Sequence, residues 1–179
     1  KNIVLTLQSD GYYFANITNL NSNSLIKYDN QANLVDLNID LNLESKVCFN
    51  DVVVNGNFKT KTEVLTRESL LKKGEIITPD KLENYRQKLT ALGLFSSVRI
   101  TPYIMYEDNY SSDCSKANII VQVKERDFGL VEFTPGYRTD LGAKAGVGLT
   151  INNLQGMNRS FSIKLQGNQR FNLDSLDER

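Results

Sequence analysis

Apolar and polar residues alternate strictly between positions 35 and 43, where the sequence is Val35-Asp36-Leu37-Asn38-Ile39-Asp40-Leu41-Asn42-Leu43. A period of two with one polar face predicts a strand that is covered on one side only. Further upstream, a short apolar stretch beginning at Ile3 ends near Gly11, which is typical of a helix C-terminus. Residues 1–46 are therefore predicted to run helix, strand, loop, strand.

Residues 47–126 begin with a short apolar strand and two helical segments. Val52-Val53-Val54 predicts a buried strand, and the turn Asn55-Gly56-Asn57 ends it. Thr60 and Glu63 have the spacing of a capping box, so a first helix is expected from this point to Gly74. A second helix is expected to begin at Thr78-Pro79, with the threonine as N-cap. Its apolar stripe consists of Leu82, Tyr85, Leu89 and Leu92.

Two further strands complete this segment. The first starts after Gly93 and continues to Ile100, and the second covers Asn118 to Val123, giving the order β-α-α-β-β. A helical hairpin between the first and second strands makes those two antiparallel, and the third strand parallel to the first. The Gly-aromatic-strand sequence at Gly93 also recurs at Gly11, which indicates an internal repeat whose first copy lacks its front.

The chain contains two cysteines, Cys48 and Cys114, and they do not form a Cys-x-x-Cys pair. They are either buried thiols or one disulfide. Each precedes a predicted strand, and if those two strands are neighbours the cysteines lie at the same end of the sheet. This topology favours the disulfide, which implies an oxidising compartment.

Residues 127–179 follow a different pattern. From Leu141 to Ile151, apolar odd positions alternate with glycine, lysine and threonine, and a similar alternation follows at Phe161, Ile163 and Leu165. Eleven alternating residues are enough for a tilted strand to cross a bilayer, although a strand of a soluble sandwich has the same pattern. Both possibilities stay open on the pattern alone.

Composition excludes several classes of function. The 21 Lys and Arg residues balance the 21 Asp and Glu residues, which argues against nucleic acid as the main partner. The sequence contains no histidine, so imidazole metal sites, serine-histidine triads and cysteine-histidine dyads are excluded. No converging acid, base or nucleophile is evident. We therefore expect no catalytic residue, no metal site and no cofactor, and the protein is not expected to be an enzyme.

At this point the motifs resemble a known family. Residues 47–126 resemble a POTRA (polypeptide-transport-associated) domain, through Val54-Asn55-Gly56-Asn57, Lys73-Gly74-Glu75 and Leu92-Gly93-Leu94-Phe95-Ser96-Ser97-Val98. Residues 1–46 resemble the rear of a preceding copy. Residues 127–179 resemble the start of a bacterial surface-antigen barrel, through Pro135-Gly136-Tyr137 and Asn153-Leu154-Gln155-Gly156. The resemblance implies the BamA/TamA-like family and an α+β fold, in which a POTRA-like β-α-α-β-β domain follows a partial second copy and precedes the first strands of a transmembrane β-barrel.

The resemblance also implies a function. Such proteins bind unfolded outer-membrane protein precursors by β-augmentation and deliver them to their barrel for membrane insertion. The implied location is the bacterial outer membrane, with residues 1–126 in the periplasm. The implied partners are these precursors, accessory lipoproteins or periplasmic chaperones, and outer-membrane lipid around the barrel.

The edge predicted to bind a substrate strand is the second strand of the POTRA-like sheet, Ser97–Tyr103. The residues expected to bind it are Ser97, Val98, Arg99, Ile100 and Thr101. In residues 1–46 the corresponding edge is Asn16 to about Leu20. Pro102 either limits uncontrolled pairing at this edge or simply ends the strand. The alternative function is that of a two-partner secretion (TpsB-type) transporter that exports a single passenger protein.

Overall fold

A computed structural model describes residues 3–22, 25–29, 34–105, 114–138 and 142–169. The first part contains one short helix and four short strands. They are α1 (Ile3–Ser9), β1 (Asn16–Ile17), β2 (Ile26–Asp29), β3 (Leu34–Leu37) and β4 (Leu41–Asn42). β1 pairs with β4 and β2 pairs with β3, both antiparallel, so this part holds two small hairpin-like sheets.

The predicted single strand over residues 35–43 is wrong in two respects. The alternating segment is divided between β3 and β4, and its apolar side chains are not covered. Val35 is 57% exposed and Leu37 is 61% exposed, because no described element packs on their face. Alternation therefore identified an extended backbone but not a buried face.

Residues 47–126 form one sheet with helices against it. The elements are β5 (Val47–Asn55), α2 (Thr62–Thr66), α3 (Pro79–Ala91), β6 (Phe95–Ile104) and β7 (Ser115–Glu125). β7 lies in the middle of the sheet, parallel to β5 and antiparallel to β6, which confirms the strand directions expected from the helical hairpin.

The core lies between α3 and the sheet. Leu82, Tyr85 and Leu89 of the predicted stripe are buried, and they pack in one cluster with Phe95 and the inward residues of β7. The Tyr85 hydroxyl donates a hydrogen bond to the backbone carbonyl of Leu65 (2.9 Å), which connects the two helices. Burial, and secondarily the charge of Glu68, raises the pKa of this phenol. Tyr85 therefore stays neutral and keeps its proton for this bond.

The two helices begin and end differently from each other. α3 follows the prediction, since the Thr78 hydroxyl accepts from the Lys81 N–H (3.5 Å) and Pro79 occupies the first turn. α2 does not, because its N-cap is Lys61 and no side chain caps it. The helix also stops at Thr66 and does not continue to Gly74, since Leu70 has a left-handed φ of 50° and is mostly exposed.

The last part is an antiparallel sheet with one apolar face. Its strands are β8 (Gly129–Phe133), β9 (Gly136–Arg138), β10 (Gly142–Ile151) and β11 (Phe161–Gln169), and a short 3₁₀ turn (Leu154–Gly156) follows β10. β8, β9 and β11 all pair with β10. Leu149 stands opposite both Val131 and Ile163, and Val147 stands opposite Phe133 and Leu165, so these apolar side chains share one face. The described part of β10 confirms the extended strand expected at Leu141–Ile151, and Leu141 itself lies outside the described residues.

None of the described helices has the length and apolar character needed to cross a membrane.

A disulfide joins Cys48 to Cys114, with their Cα atoms 5.8 Å apart. Cys48 lies on β5 opposite Lys116 of β7, and Cys114 directly precedes β7, so the bond closes one end of the parallel strand pair. The Oγ atoms of Ser45 and Ser115 form a hydrogen bond beside it (2.5 Å). The two cysteines are 66 positions apart in the sequence, and the segment between them contains both helices and β6.

We predict that this disulfide forms in the mature protein and stabilises it. In the chain-entropy model, a loop of this length gives about 4 kcal/mol of stabilisation at most. The variant Cys48→Ser/Cys114→Ser is expected to unfold with a free energy lower by about 2–4 kcal/mol, measured by urea denaturation. Reductant should lower the stability of the wild type and leave the double variant unchanged. Equal stability of the oxidised wild type and the double variant would contradict the prediction.

Candidate functional site: the open edge of the three-stranded sheet

A three-stranded sheet has two outer edges, and here they belong to β5 and β6 because β7 lies between them. The backbone groups of an edge strand that point away from the sheet need a hydrogen-bonding partner other than a neighbouring strand. The two edges satisfy this need in different ways, and that difference defines the candidate site.

The edge of β5 is covered over its first residues by the chain itself. Residues 74–77 run alongside, where Ile77 donates its N–H to Val47 (2.9 Å) and Phe49 donates to Glu75 (2.8 Å). Gly74 donates to the carbonyl of Phe49 (2.7 Å), and Cys48 forms an antiparallel bridge with Ile76. This part of β5 is therefore not available to a substrate strand.

Glu75 holds the covering segment in place. Its carboxylate accepts from the Lys72 backbone N–H (3.0 Å) and pairs with the Lys81 ammonium (2.7 Å). Lys81 also donates to the carbonyl of Ile76 (2.8 Å). The Lys72 backbone bond first, and then the Lys81 side chain, hold the pKa of the Glu75 carboxyl below its ordinary value. Residues 72–81 thus cover the start of β5, and the ion pair between Glu75 and Lys81 holds them in place. We call this ion pair the Glu75 clasp.

The edge of β6 has no such cover among the described residues. Met105 donates its N–H to Lys116 (2.9 Å), and the same register places Thr101 opposite Ile120 and Arg99 opposite Gln122. Bonded and non-bonded pairs alternate in an antiparallel ladder, so the odd residues turn their N–H and C=O groups towards β7. The even residues turn theirs outward; they are Val98, Ile100, Pro102 and Ile104. We call these four residues the open edge.

Pro102 lies inside the open edge and does not end the strand. β6 continues to Ile104, and Pro102 is paired with Ile119 and buried. The interpretation that this proline simply ends the strand is therefore wrong. Because Pro102 is one of the outward residues, its missing N–H removes a donor from the open edge without breaking the ladder to β7. Outward N–H groups remain at Val98, Ile100 and Ile104.

The five residues predicted as the site divide by side-chain direction. Val98 and Ile100 are half-buried and pack against the core cluster, while Ser97, Arg99 and Thr101 are exposed. The exposed side chains carry one positive charge and two hydroxyls and build no pocket. Any strand bound here would be recognised through backbone hydrogen bonds, with weak demands on its side chains.

Sequence reasoning missed three features of the site. The binding residues that it selected end at Thr101 and the edge at Tyr103, whereas the outward groups continue to Ile104. It did not identify the cover on β5, because Glu75 and Lys81 are six residues apart and only the fold brings them together. The second candidate edge, from Asn16 to about Leu20, contains a strand of only two residues, β1, which pairs with β4. Beyond it, Thr18 donates its N–H to the carbonyl of Asp40 (2.9 Å).

A second proline, Pro135, also lies among the outward residues of an outer strand, here in the last sheet. Thr134 and Gly146 exchange both of their backbone hydrogen bonds (2.9 and 3.1 Å), so the odd residues of this ladder turn outward. Pro135 is among them, between β8 and β9, and its register with β10 is unbroken on both sides. Both outer strands therefore lack one outward donor.

The described residues contain no group of cysteine, aspartate or glutamate side chains arranged to hold a metal ion.

Comparison with known proteins identifies the three-stranded unit. The family model of POTRA, described as a surface antigen variable number repeat, matches residues 47–126. The matched residues include the whole three-stranded sheet and both of its helices. The open edge is the outer side of the second strand of this matched unit.

The chain as a whole is similar to larger proteins. The outer membrane protein assembly factor BamA of Neorickettsia risticii is 27% identical over 165 residues, which is 92% of this chain and 20% of that protein. The chain thus spans about a fifth of this relative. The crystal structure of BamA from Haemophilus ducreyi lacking POTRA domains 1–3 covers 93% of this chain with a TM-score of 0.72 and 22% identity, over 29% of its own length.

A structure of POTRA domains 3–5 of Haemophilus influenzae BamA covers 68% of this chain and 44% of its own, with a TM-score of 0.53 and 17% identity. These matches confirm the resemblance to the BamA/TamA-like family and the α+β fold class, with barrel strands after the POTRA domain. They also confirm the expected localisation in the outer membrane with periplasmic POTRA domains.

We predict a pH-dependent contribution from the Glu75 clasp. The folded pKa lies below the ordinary 4.5, so the contribution is complete above pH 4.5 and is lost as the pH falls through the folded value. Glu75→Gln should lower the free energy of unfolding at pH 7 by less than about 1 kcal/mol, because the pair is partly exposed.

Urea denaturation from pH 7 down to pH 3 checks this prediction. The gap between wild type and Glu75→Gln should narrow in the acidic part of that range, and Lys81→Gln should behave in the same way. A gap that stays constant with pH would show that the ionised carboxylate contributes nothing.

Proposed function

We propose that this chain is part of an outer-membrane assembly factor, and that its POTRA domain binds extended segments of unfolded outer-membrane protein precursors along β6. The observation that supports the proposal is the open edge, whose outward N–H and C=O groups have no partner strand within the described residues. The covered start of β5 leaves β6 as the longer available edge.

Binding by β-augmentation suits a factor with many clients. A client strand placed antiparallel or parallel to β6 forms main-chain bonds with Val98, Ile100 and Ile104, and each bond contributes about 0.5–1.5 kcal/mol net. A few such bonds give weak, reversible binding that is tolerant of sequence. Because Pro102 has no N–H, a client strand cannot form an unbroken row of hydrogen bonds along the whole edge.

After only three residues, the chain continues from the sheet that carries this edge into strands that suit a membrane. The sheet of β8 to β11 has one apolar face, on which the side chains are 37% to 69% exposed; they are Val131, Val147, Leu149, Ile163 and Leu165. We propose that residues 1–46 are a partial POTRA domain, 47–126 a complete one and 127–179 the start of the barrel. A captured precursor would pass from β6 to that barrel, surrounded by outer-membrane lipid. Accessory lipoproteins or periplasmic chaperones would supply the clients, and no catalysis or cofactor is required.

Substitution of Ile100 tests whether the backbone of the edge binds clients. Ile100→Pro removes one outward N–H, while Ile100→Ala removes most of the isoleucine side chain but keeps the N–H. We expect Ile100→Pro to reduce photo-crosslinking of unfolded precursors from position 99 several-fold relative to Ile100→Ala. Equal crosslinking in the two variants would contradict edge binding.

The crosslinked clients also separate the two possible roles. Many different outer-membrane proteins in the crosslinked set support an assembly factor. One large passenger protein would instead support a two-partner secretion transporter with the same architecture.

Restoring the missing donor should have the opposite effect. Pro102→Ala adds one outward N–H to the open edge, and one hydrogen bond of about 1 kcal/mol strengthens binding about fivefold. The affinity of the reconstituted protein for a fluorescent peptide from a precursor strand, measured by anisotropy, checks this. Unchanged or weaker binding, with the domain still folded by circular dichroism, would overturn the assignment of the edge.

A further inference from the structure

The junction between the POTRA domain and the membrane strands contains a buried polar network. Its centre is Thr60, which is only 2% exposed, in the loop between β5 and α2. The Thr60 hydroxyl donates to the carboxylate of Glu125 at the end of β7 (2.6 Å). It also accepts from the side-chain amide of Asn153 (2.8 Å), which lies in the turn between β10 and β11. One hydroxyl therefore joins the two sheets across 93 residues of sequence.

The network explains why Thr60 does not cap α2. Glu125 additionally accepts from the backbone N–H groups of Thr60 (2.7 Å) and Lys59 (3.0 Å), so the carboxylate fixes the whole loop. Both hydrogen-bonding functions of the hydroxyl are then used, and Glu63 has no part in them. The expected capping box is replaced by a contact between distant parts of the chain.

On the side of the last sheet, the contact depends on Asn153 and Gly156. Asn153 is 6% exposed and has a left-handed φ of 54°, and its side-chain oxygen accepts from the Asn158 N–H (2.9 Å). Lys61 donates its N–H to the carbonyl of Gly156 (3.0 Å). A Cβ atom at Gly156 would stand 2.3 Å from the carbonyl oxygen of Lys59, so only glycine permits this approach of the two backbones.

The covalent connection between the two sheets is short. β7 ends at Glu125 and β8 begins at Gly129, so residues 126–128 are the whole linker. The linker itself is bonded to the first sheet at its start, since Arg126 donates to the carbonyls of Leu94 and Phe95 (2.9 Å each). The mutual angle of the two sheets can then change only at the far end of the linker, unless a second contact restrains it there. The contact between residues 59–61 and 153–156 is such a restraint, and it is made of hydrogen bonds that can exchange with water.

We infer that Thr60, Glu125, Asn153 and Gly156 form a positioning latch that fixes the angle between the POTRA sheet and the first membrane strands. With the latch closed, the open edge of β6 has one orientation relative to β8 and β10. With the latch broken, the POTRA domain swings about residues 126–128. The consequence for client transfer rests on the proposed function, whereas the restraint itself does not.

Distance measurements on the full-length protein in phospholipid vesicles test the latch. Spin labels are attached at Gln87→Cys on α3 and Lys164→Cys on β11, both exposed positions, with the native disulfide kept oxidised. Thr60→Val removes the hydroxyl with little change in volume, and Asn153→Gly removes the side chain while keeping the left-handed backbone accessible. We expect both variants to broaden or shift the distance distribution between the labels by double electron-electron resonance.

Two matched controls should retain the wild-type distribution. Thr60→Ser keeps the hydroxyl. Asn158→Gly removes the side chain of another asparagine in the same turn that has a left-handed backbone, and it keeps the backbone N–H that Asn158 donates to Asn153. If Thr60→Val and Asn153→Gly give the wild-type distribution, the latch is overturned. Circular dichroism and thermal melting identify any variant that has lost its fold, and the other variant then decides.

Crosslinking and insertion assays on the same variants distinguish failure of the latch from failure of the proposed function. In a latch-broken variant, crosslinking of precursors at β6 should persist while their insertion into the membrane slows. If the wild type does not crosslink precursors at β6, the proposed function fails and the distance result still decides the latch. If the distances broaden while insertion keeps its wild-type rate, the latch has no part in transfer.

Discussion

The structure depends on how a small sheet satisfies the hydrogen bonds of its outer strands. β7 satisfies one side of both neighbours, and residues 74–77 satisfy the first part of the other side of β5. The outward groups of β6 have no partner strand among the described residues. An edge in this state gains most from an added strand, and the core beneath it, with Phe95 and the inward residues of β7, holds that edge rigid.

In the proposed function a fixed position of the open edge matters, because the edge would act together with the membrane strands. The polar contact around Thr60 and the three-residue linker 126–128 are two independent connections between the sheets. Apolar packing at this junction would be harder to open, whereas hydrogen bonds to one hydroxyl allow release at small cost. In the proposed function, these hydrogen bonds would link client capture at β6 to delivery to the barrel.

Much of the fold was predictable from the sequence because local chemistry determines it. Thr78-Pro79 starts α3, and the stripe Leu82, Tyr85 and Leu89 faces the core as its spacing requires. The short apolar run near Val52 and the glycine after Leu92 set the strand order. The directions of the three strands and the position of β6 at an edge follow from this order.

The remaining features depend on contacts between distant residues, which no local pattern encodes. Thr60 and Glu63 satisfy the spacing of a capping box, yet the Thr60 hydroxyl binds Glu125 and Asn153 instead. The alternation at residues 35–43 predicted a covered strand, but covering requires a partner face that the described chain does not provide. The side to which Pro102 directs its nitrogen follows from the register with β7, and sequence alone does not give that register.

Amide hydrogen exchange along β6, followed by NMR in the presence and absence of an unfolded precursor, tests the central claim most directly. Without precursor, the amides of Val98 and Ile100 should exchange fast and those of Arg99 and Thr101 slowly, because only the latter two bond to β7. With precursor, Val98 and Ile100 should become protected while the amides of β5 stay unchanged. Protection that appears elsewhere, or not at all, with the precursor bound would contradict the account.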